Sequence, residues 1–319
     1  MAPDPTPVAA ATASRPGAVG PLGLVLPTFP QHRPAPPGAA ELASLCAEAE
    51  DAGAAALWAC DHLYWHGPVL ECLAALAVAA GATTGAAVGT CVLQLPLRRP
   101  EALAKQAASL QHLSDGRLVL GVGVGSRRGE YEAAGVDFAT RGRALDDGIA
   151  RLRRAWEVEP PGPEAGHGGG YRQLPGPGGV PLWIGGSSEA ALRRAARHGD
   201  GWIPLFLSPD EFRAAQSRLD KEAERAGRDP SAIERAVVVF VSVGDDPAAR
   251  GLAWMSSLYG IPPHAFAAHL VAGTARECSR SLERYVEAGA RHVAVFVASD
   301  DPLVPFGLLA TEFSQVSSS

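Results

Sequence analysis

The sequence predicts an α/β chain folded as a closed (β/α)8 barrel, and three observations carry that prediction. Eight short apolar runs of strand length recur from Leu22 onward, segments of helical period lie between them, and 319 residues with 47% hydrophobic content can fill one large core. Strand alternating with helix implies parallel strands joined by crossover helices, which either close into a barrel or spread as a doubly wound sheet. Eight candidates match the strand number of the barrel, and one domain over residues 21–319 is an ordinary size for it.

The first strand is Leu22-Gly-Leu-Val-Leu26, and after it Leu42, Leu45, Cys46 and Ala49 recur at i, i+3, i+4 and i+7, the stripe of one buried helix face. Ala56–Cys60, Ala86–Val92 and Leu118–Val122 are the next three strands, with a helix over Glu101–Leu113 between the last two. Leu145, Ile149, Leu152 and Trp156 form a second helical stripe, followed by Glu157–Gly179, which is dense in Pro and Gly and reads as an insertion loop. Leu182–Gly185, Gly201–Pro204, Ala236–Val243 and His292–Val297 complete the strands. Ser208-Pro-Asp-Glu211 and Thr274-Ala-Arg-Glu277 are capping boxes, in which the hydroxyl accepts from the third amide and Glu reaches back, so helices begin there. Glycine follows an apolar stripe at 53, 81, 199, 227 and 289, where a helix can end.

Composition excludes several classes. With 28 Lys+Arg against 34 Asp+Glu the net charge is −6 and no basic block stands out, which argues against nucleic acid as a partner. Five cysteines with no Cys-x-x-Cys pair suggest neither zinc nor a disulfide framework and fit a reducing cytoplasm. Residues 1–20, rich in Ala and Pro, are expected to be a disordered tail, and neither a signal peptide nor a membrane partner is expected.

In a closed parallel barrel reactive groups gather where strands end, so the residues after each strand are the first candidates. Asp61-His62 follows the second strand directly. Histidine exchanges protons near neutral pH, and a neighbouring carboxylate both orients the ring and favours its charged form. The plain alternative, of about equal weight, is that Asp61 caps the next segment and His62 bonds a backbone group. His62 and His66 have i, i+4 spacing but lack the Glu of a zinc-binding helix, so no metal is expected.

Gly121, Gly123 and Gly125, with Ser126, end the fourth strand. The third glycine is misplaced for a dinucleotide fingerprint and a helical segment follows in place of a strand ending in an acid. Small residues there either let a flat ring or phosphate approach the backbone or relieve crowding inside the barrel. Gly185-Gly186-Ser187-Ser188 lies between a strand and a helix start, where free amides and the helix dipole suit a phosphate; an ordinary tight turn is the alternative. Arg98, Arg99, Arg127 and Arg128 could meet an anionic ligand or form a solvated face.

At these residues the chain resembles the bacterial luciferase-like family, in its coenzyme F420-dependent (deazaflavin) oxidoreductase branch. The carriers are Leu57-Trp-Ala-Cys-Asp-His62, Gly89 to Gln106, Leu113 to Gly125, Pro181 to Gly186 and Gly199 to Pro204. The resemblance implies a TIM barrel with an insertion, a cofactor lying across the strand ends, and a non-proline cis peptide at Cys91–Val92. It also matches Gly185 and Gly186 to the phosphate turn, Gly125 and Ser126 to the loop near the cofactor side chain, and Asp61 and His62 to the active-site acid and histidine. Ser126 stands where sugar-phosphate dehydrogenases of the family carry glutamate, which argues against a sugar-phosphate substrate.

The expected activity is hydride transfer between coenzyme F420 and a small organic substrate (an activated double bond, an imine or an alcohol), with His62 exchanging the proton and Asp61 holding its ring. Cys91, Val92, Gly125, Ser126, Gly185, Gly186 and Ser187 are the expected cofactor contacts. The nearest rival is a monooxygenase using reduced FMN and oxygen, and a minor one is a cofactor-binding protein without turnover. A separate reductase to supply reduced cofactor and a homodimer are further expectations. Trp254, Tyr259, Phe266 and His269 could line an apolar pocket, but helix packing is the preferred reading of them.

Overall fold

The computed structural model describes residues 21–157 and 179–316. The expected tail over residues 1–20 and nearly all of the expected insertion loop lie outside the described residues. The elements run β1 (Leu22–Val25), α1 (Ala39–Asp51), β2 (Ala56–Ala59), α2 (Cys72–Ala82), β3 (Ala87–Thr90), β4 (Leu93–Gln94), α3 (Pro100–Leu113), β5 (Leu118–Gly123), α4 (Arg128–Ala133) and α5 (Arg141–Glu157). There follow β6 (Leu182–Gly185), α6 (Glu189–His198), β7 (Gly201–Ile203), α7 (Pro209–Arg225), β8 (Glu234–Val243), α8 (Pro247–Tyr259), β9 (Leu270–Gly273), α9 (Ala275–Glu287), β10 (His292–Val297) and α10 (Leu303–Val316).

The strands neighbour one another in the order β10-β1-β2-β3-β5-β6-β7-β8, and β8 pairs back onto β10, so the sheet closes with parallel pairings throughout. All eight expected strands are present. The third departs from expectation: it breaks after Thr90 and resumes as β4. Gly89 pairs with Val119 and Leu93 with Val122, so four steps on one strand face three on the other, a bulge carrying one extra residue. The unexpected β9 pairs with β8 from Phe240↔Leu270 to Val243↔Gly273. Both capping boxes form, at Ser208 and Thr274. Gly81 does not end its helix, which continues to Ala82.

Strand alternation sorts the barrel into two packed layers. Leu22, Leu24, Leu57, Val88, Leu118, Leu120, Leu182, Ile184, Val237, Val239, Val293 and Val295 face outward into the core beneath the helices. Val25, Ala56, Trp58, Ala87, Val119, Trp183, Ala236, Val238, Phe240, Ala294 and Phe296 face inward. The interior is filled by two tryptophans, Trp58 and Trp183, with ring centroids 5.4 Å apart. A Cβ at Gly23 or Gly89 would fall 2.6 or 2.4 Å from Trp58, and one at Gly201 2.5 Å from Trp183, which explains glycine in three strands at once.

The loops preceding the strands are fixed by two charged side chains. Arg117 donates to the carbonyls of Ala80, Thr83, Ala86 and Ser114 and to the Thr83 hydroxyl, at 2.6–3.0 Å. Glu50 accepts the amides of Thr84, Gly85 and Ala86. This end therefore carries stability, and the opposite end, where the strands run out, is left for chemistry. No helix among the described residues is long and apolar enough to cross a membrane.

Candidate active site

The strand ends β2, β4 and β5 converge on one hydrogen-bonded cluster. His62 follows β2 and its Nδ1 lies 2.9 Å from Glu130 Oε2, on α4. Glu130 is buried, and its Oε1 accepts the amide of Leu63 at 2.7 Å and the side-chain amide of Gln94, on β4, at 3.2 Å. Burial works to raise the Glu130 carboxyl pKa, but the bonds from His62, Leu63 and Gln94 outweigh it and hold the group below its usual range. An ionised Glu130 makes Nδ1 the donor and leaves Nε2 of His62, which has no hydrogen-bond partner among the described residues, as the nitrogen open to proton exchange.

Glu130 and Gln94 take roles that the sequence reading did not assign to them. The expectation that Asp61 holds the His62 ring is corrected: Asp61 Oδ2 accepts the Gln94 backbone amide at 2.9 Å and Oδ1 accepts Arg98 at 2.6 Å. The physical reason is burial, since a carboxylate so deeply enclosed needs a cation, and Arg98 supplies it while also pairing with Glu71 at 2.9 Å. Arg98 is thus not free for a ligand. Arg127 is also engaged, lying 3.8 Å over the Trp65 ring and donating to His66 Nε2 at 2.6 Å. Arg128 lies 4.8 Å over Phe138.

The Cys91–Val92 peptide is cis, and it sits in the bulge between β3 and β4. The Val92 side chain fills the space of the missing side chains on β5 and β6: a Cβ at Gly123 would lie 2.7 Å, and one at Gly185 2.8 Å, from Val92 Cγ2. Crowding therefore accounts for these glycines. Gly125 has φ +68 and a Cβ there would fall 1.9 Å from Gln94 Oε1, so this glycine serves the Gln94 side chain. Ser126 is exposed beside it.

Beyond β6, Gly186 adopts φ +99 and its carbonyl accepts Trp202 Nε1 at 2.8 Å. In a trans peptide the N–H points opposite to the C=O, so the Ser187 amide faces away from Trp202. Ser188 caps α6 by accepting from Ala191. The amides of Gly186, Ser187, Glu189 and Ala190 have no hydrogen-bond partner among the described residues, a donor set that fits a phosphate group. Thr28 Oγ1, Trp65 Nε1 and Gln94 Oε1 are among the buried side-chain atoms without a partner among the described residues. The Trp65 and His62 ring centroids are 4.1 Å apart, so the orphan indole N–H belongs to a ring packed on the imidazole.

Aromatic rings continue from there across the mouth. Trp65 packs on Tyr259, and Tyr259 on Phe206 and Phe266. Tyr259, Phe266 and His269, expected as helix packing, thus pack on Phe206, which follows β7. Trp254 donates to Asp300, which also accepts the amides of Gln31 and His32.

Comparison with known proteins agrees with this geometry. A family model for luciferase-like monooxygenases matches residues 21–251. An uncharacterized protein of Mycobacterium bovis is 36% identical over 172 residues, covering 50% of this chain and 57% of its own. A phthiodiolone/phenolphthiodiolone dimycocerosates ketoreductase of Mycobacterium tuberculosis is 30% identical over 195 residues, covering 57% of this chain and 51% of its own. The matches thus span about half the length of these curated relatives. Among solved structures, an F420-dependent secondary alcohol dehydrogenase superposes with a TM-score of 0.75 at 22% identity, covering 92% of this chain and 97% of its own. The oxygenating constituent of a diketocamphane monooxygenase from Pseudomonas putida, bound to FMN, gives 0.74 at 18% identity over 93% and 98%. These two likenesses establish the fold.

Proposed function

Because this chain belongs to the luciferase-like monooxygenase family, we propose that it is an oxidoreductase exchanging a hydride between coenzyme F420 and a carbonyl compound or its alcohol. One observation carries the reading. His62, its Nδ1 fixed by Glu130, stands against Trp65, whose indole N–H is buried and unpaired. A carbonyl oxygen that becomes an alkoxide needs one donor to polarise it and one group to deliver a proton, and Trp65 Nε1 with His62 Nε2 provide the two.

The cofactor, held at its phosphate by the Gly186–Ala190 amides and backed by Val92 of the bulge, would supply the hydride. His62 exchanges the proton at Nε2 while Glu130 stabilises the imidazolium through Nδ1. Gln94 keeps Glu130 in place and Arg98 is paired with Asp61, which leaves His62 as the proton-exchanging member of this reading. The ketoreductase relative and the alcohol dehydrogenase fold support carbonyl chemistry over the reduction of an isolated double bond.

The test is oxidation of reduced F420, followed by the absorbance of the oxidised cofactor, with a panel of ketones and aldehydes under nitrogen. Turnover without oxygen supports the proposal. Oxygen uptake with reduced FMN, and none of the anaerobic reaction, would assign the chain to the monooxygenases instead.

A further inference from the structure

Phe206 is a bulky residue with φ +60, a left-handed conformation in which L side chains are strained at a cost of about 1–2 kcal/mol. Such a residue persists where its surroundings hold it, and they do on both sides. Leu205 bridges to Val238 on β8, and the Leu207 carbonyl accepts the Tyr285 hydroxyl at 2.8 Å. Ser208 then opens the capping box of α7. A glycine would meet the same backbone need with no strain, so the ring itself is what the position retains.

The ring stands at the head of a stack. Phe296 and Phe240 are buried, with centroids 4.6 Å apart and planes 19° from parallel; Phe206 lies on Phe240 at 5.6 Å and 13° and is half-buried. Tyr259, Phe266 and His269 surround it at inclined angles. His269 keeps a buried Nδ1 without a partner at this rim. The charged groups nearby are committed: Arg127 to His66, and Asp300 to Trp254, Gln31 and His32.

We propose that Phe206 is the specificity-determining residue for a planar, uncharged, ring-bearing carbonyl substrate, whose ring extends the Phe296–Phe240–Phe206 stack. This rests on the reading of the barrel mouth as the site of carbonyl reduction. Flat rings gain from parallel stacking beyond the area they bury, and a puckered ring of equal size does not. A polar substituent on the substrate ring would meet His269 Nδ1. An anionic substrate finds no uncommitted cation among the described residues that contact these rings.

The experiment compares acetophenone with cyclohexyl methyl ketone, which have the same heavy-atom skeleton, by calorimetric binding to the full chain loaded with oxidised F420. The wild-type protein is expected to bind acetophenone roughly tenfold more tightly. Phe206→Leu, which keeps an apolar side chain without a flat face, is expected to bring the two ketones to nearly equal affinity. Equal binding of both ketones by the wild type, binding of neither, or a preference that survives in F206L overturns the proposal. A preference lost in F206L with no oxidation of reduced F420 by either ketone leaves the ring site standing and sinks the carbonyl reductase reading. Turnover of both ketones at equal kcat/KM does the reverse.

Discussion

His62 Nδ1 and Glu130 Oε2 meet at 2.9 Å although the residues lie 68 positions apart, and this contact engages one imidazole nitrogen and leaves the other unpaired among the described residues. Replacing Glu130 with Gln keeps the shape but can leave the ring in the wrong tautomer. The expected outcome is a fall in kcat of about a hundredfold with the cofactor dissociation constant unchanged, measured by steady-state kinetics and fluorescence titration. Loss of cofactor affinity alone would show that Glu130 acts elsewhere.

Asp61 behaves as a structural acid. Asp61→Ala leaves a largely buried Arg98 with the half-exposed Glu71 alone and the Gln94 amide unpaired, and is expected to cost about 2–3 kcal/mol, read by urea unfolding. The folded fraction should keep kcat within a few-fold. A collapse of kcat without loss of stability would restore Asp61 to the chemistry.

Trp202 holds the carbonyl of Gly186 and so aims the next amide. Trp202→Phe removes one hydrogen bond, for which about 1 kcal/mol is typical. The cofactor dissociation constant should rise roughly fivefold while kcat at saturation is retained.

Gly185 and Val92 are coupled through space. Gly185→Ala places a methyl 2.8 Å from Val92 and should destabilise by about 1–3 kcal/mol. Adding Val92→Ala opens room, so the double variant is expected to be more stable than the sum of the single changes allows, in a thermal-melt cycle.

Asp300 sets a pH dependence. Burial raises its carboxyl pKa, but the amides of Gln31 and His32 and the Trp254 indole more than offset this and hold it below the ordinary value. The folded pKa is depressed, so the stabilisation is complete above about pH 3.9 and is lost as pH falls through the folded value. Wild type should melt about 2–4 °C above Asp300→Asn at pH 7, and the gap should close as the acid titrates.

The eight barrel strands could be read from sequence because each is an apolar run set between helical stripes, and Ser208 and Thr274 because a capping box is complete within four residues. Leu270–Gly273 escaped because it is short and evenly half-buried, with no alternation to mark it. The cis peptide came from resemblance alone; nothing in the local residues requires it. Glu130 and Gln94 stayed hidden because their work depends on chain closure: an acid two residues after Arg127-Arg128 looks like solvated surface until the barrel brings it against His62. Asp61 was placed with His62 because adjacency in sequence suggested adjacency in space, whereas consecutive residues at the end of a strand point to opposite sides.

Trp58 and Trp183 stop up the barrel axis. With the axis filled there, a molecule that reacts at His62 has to arrive over the strand ends, beside the rings of Trp65, Tyr259 and Phe206. Reactants that share one rim would have to take turns: a spent one backing out before its replacement enters.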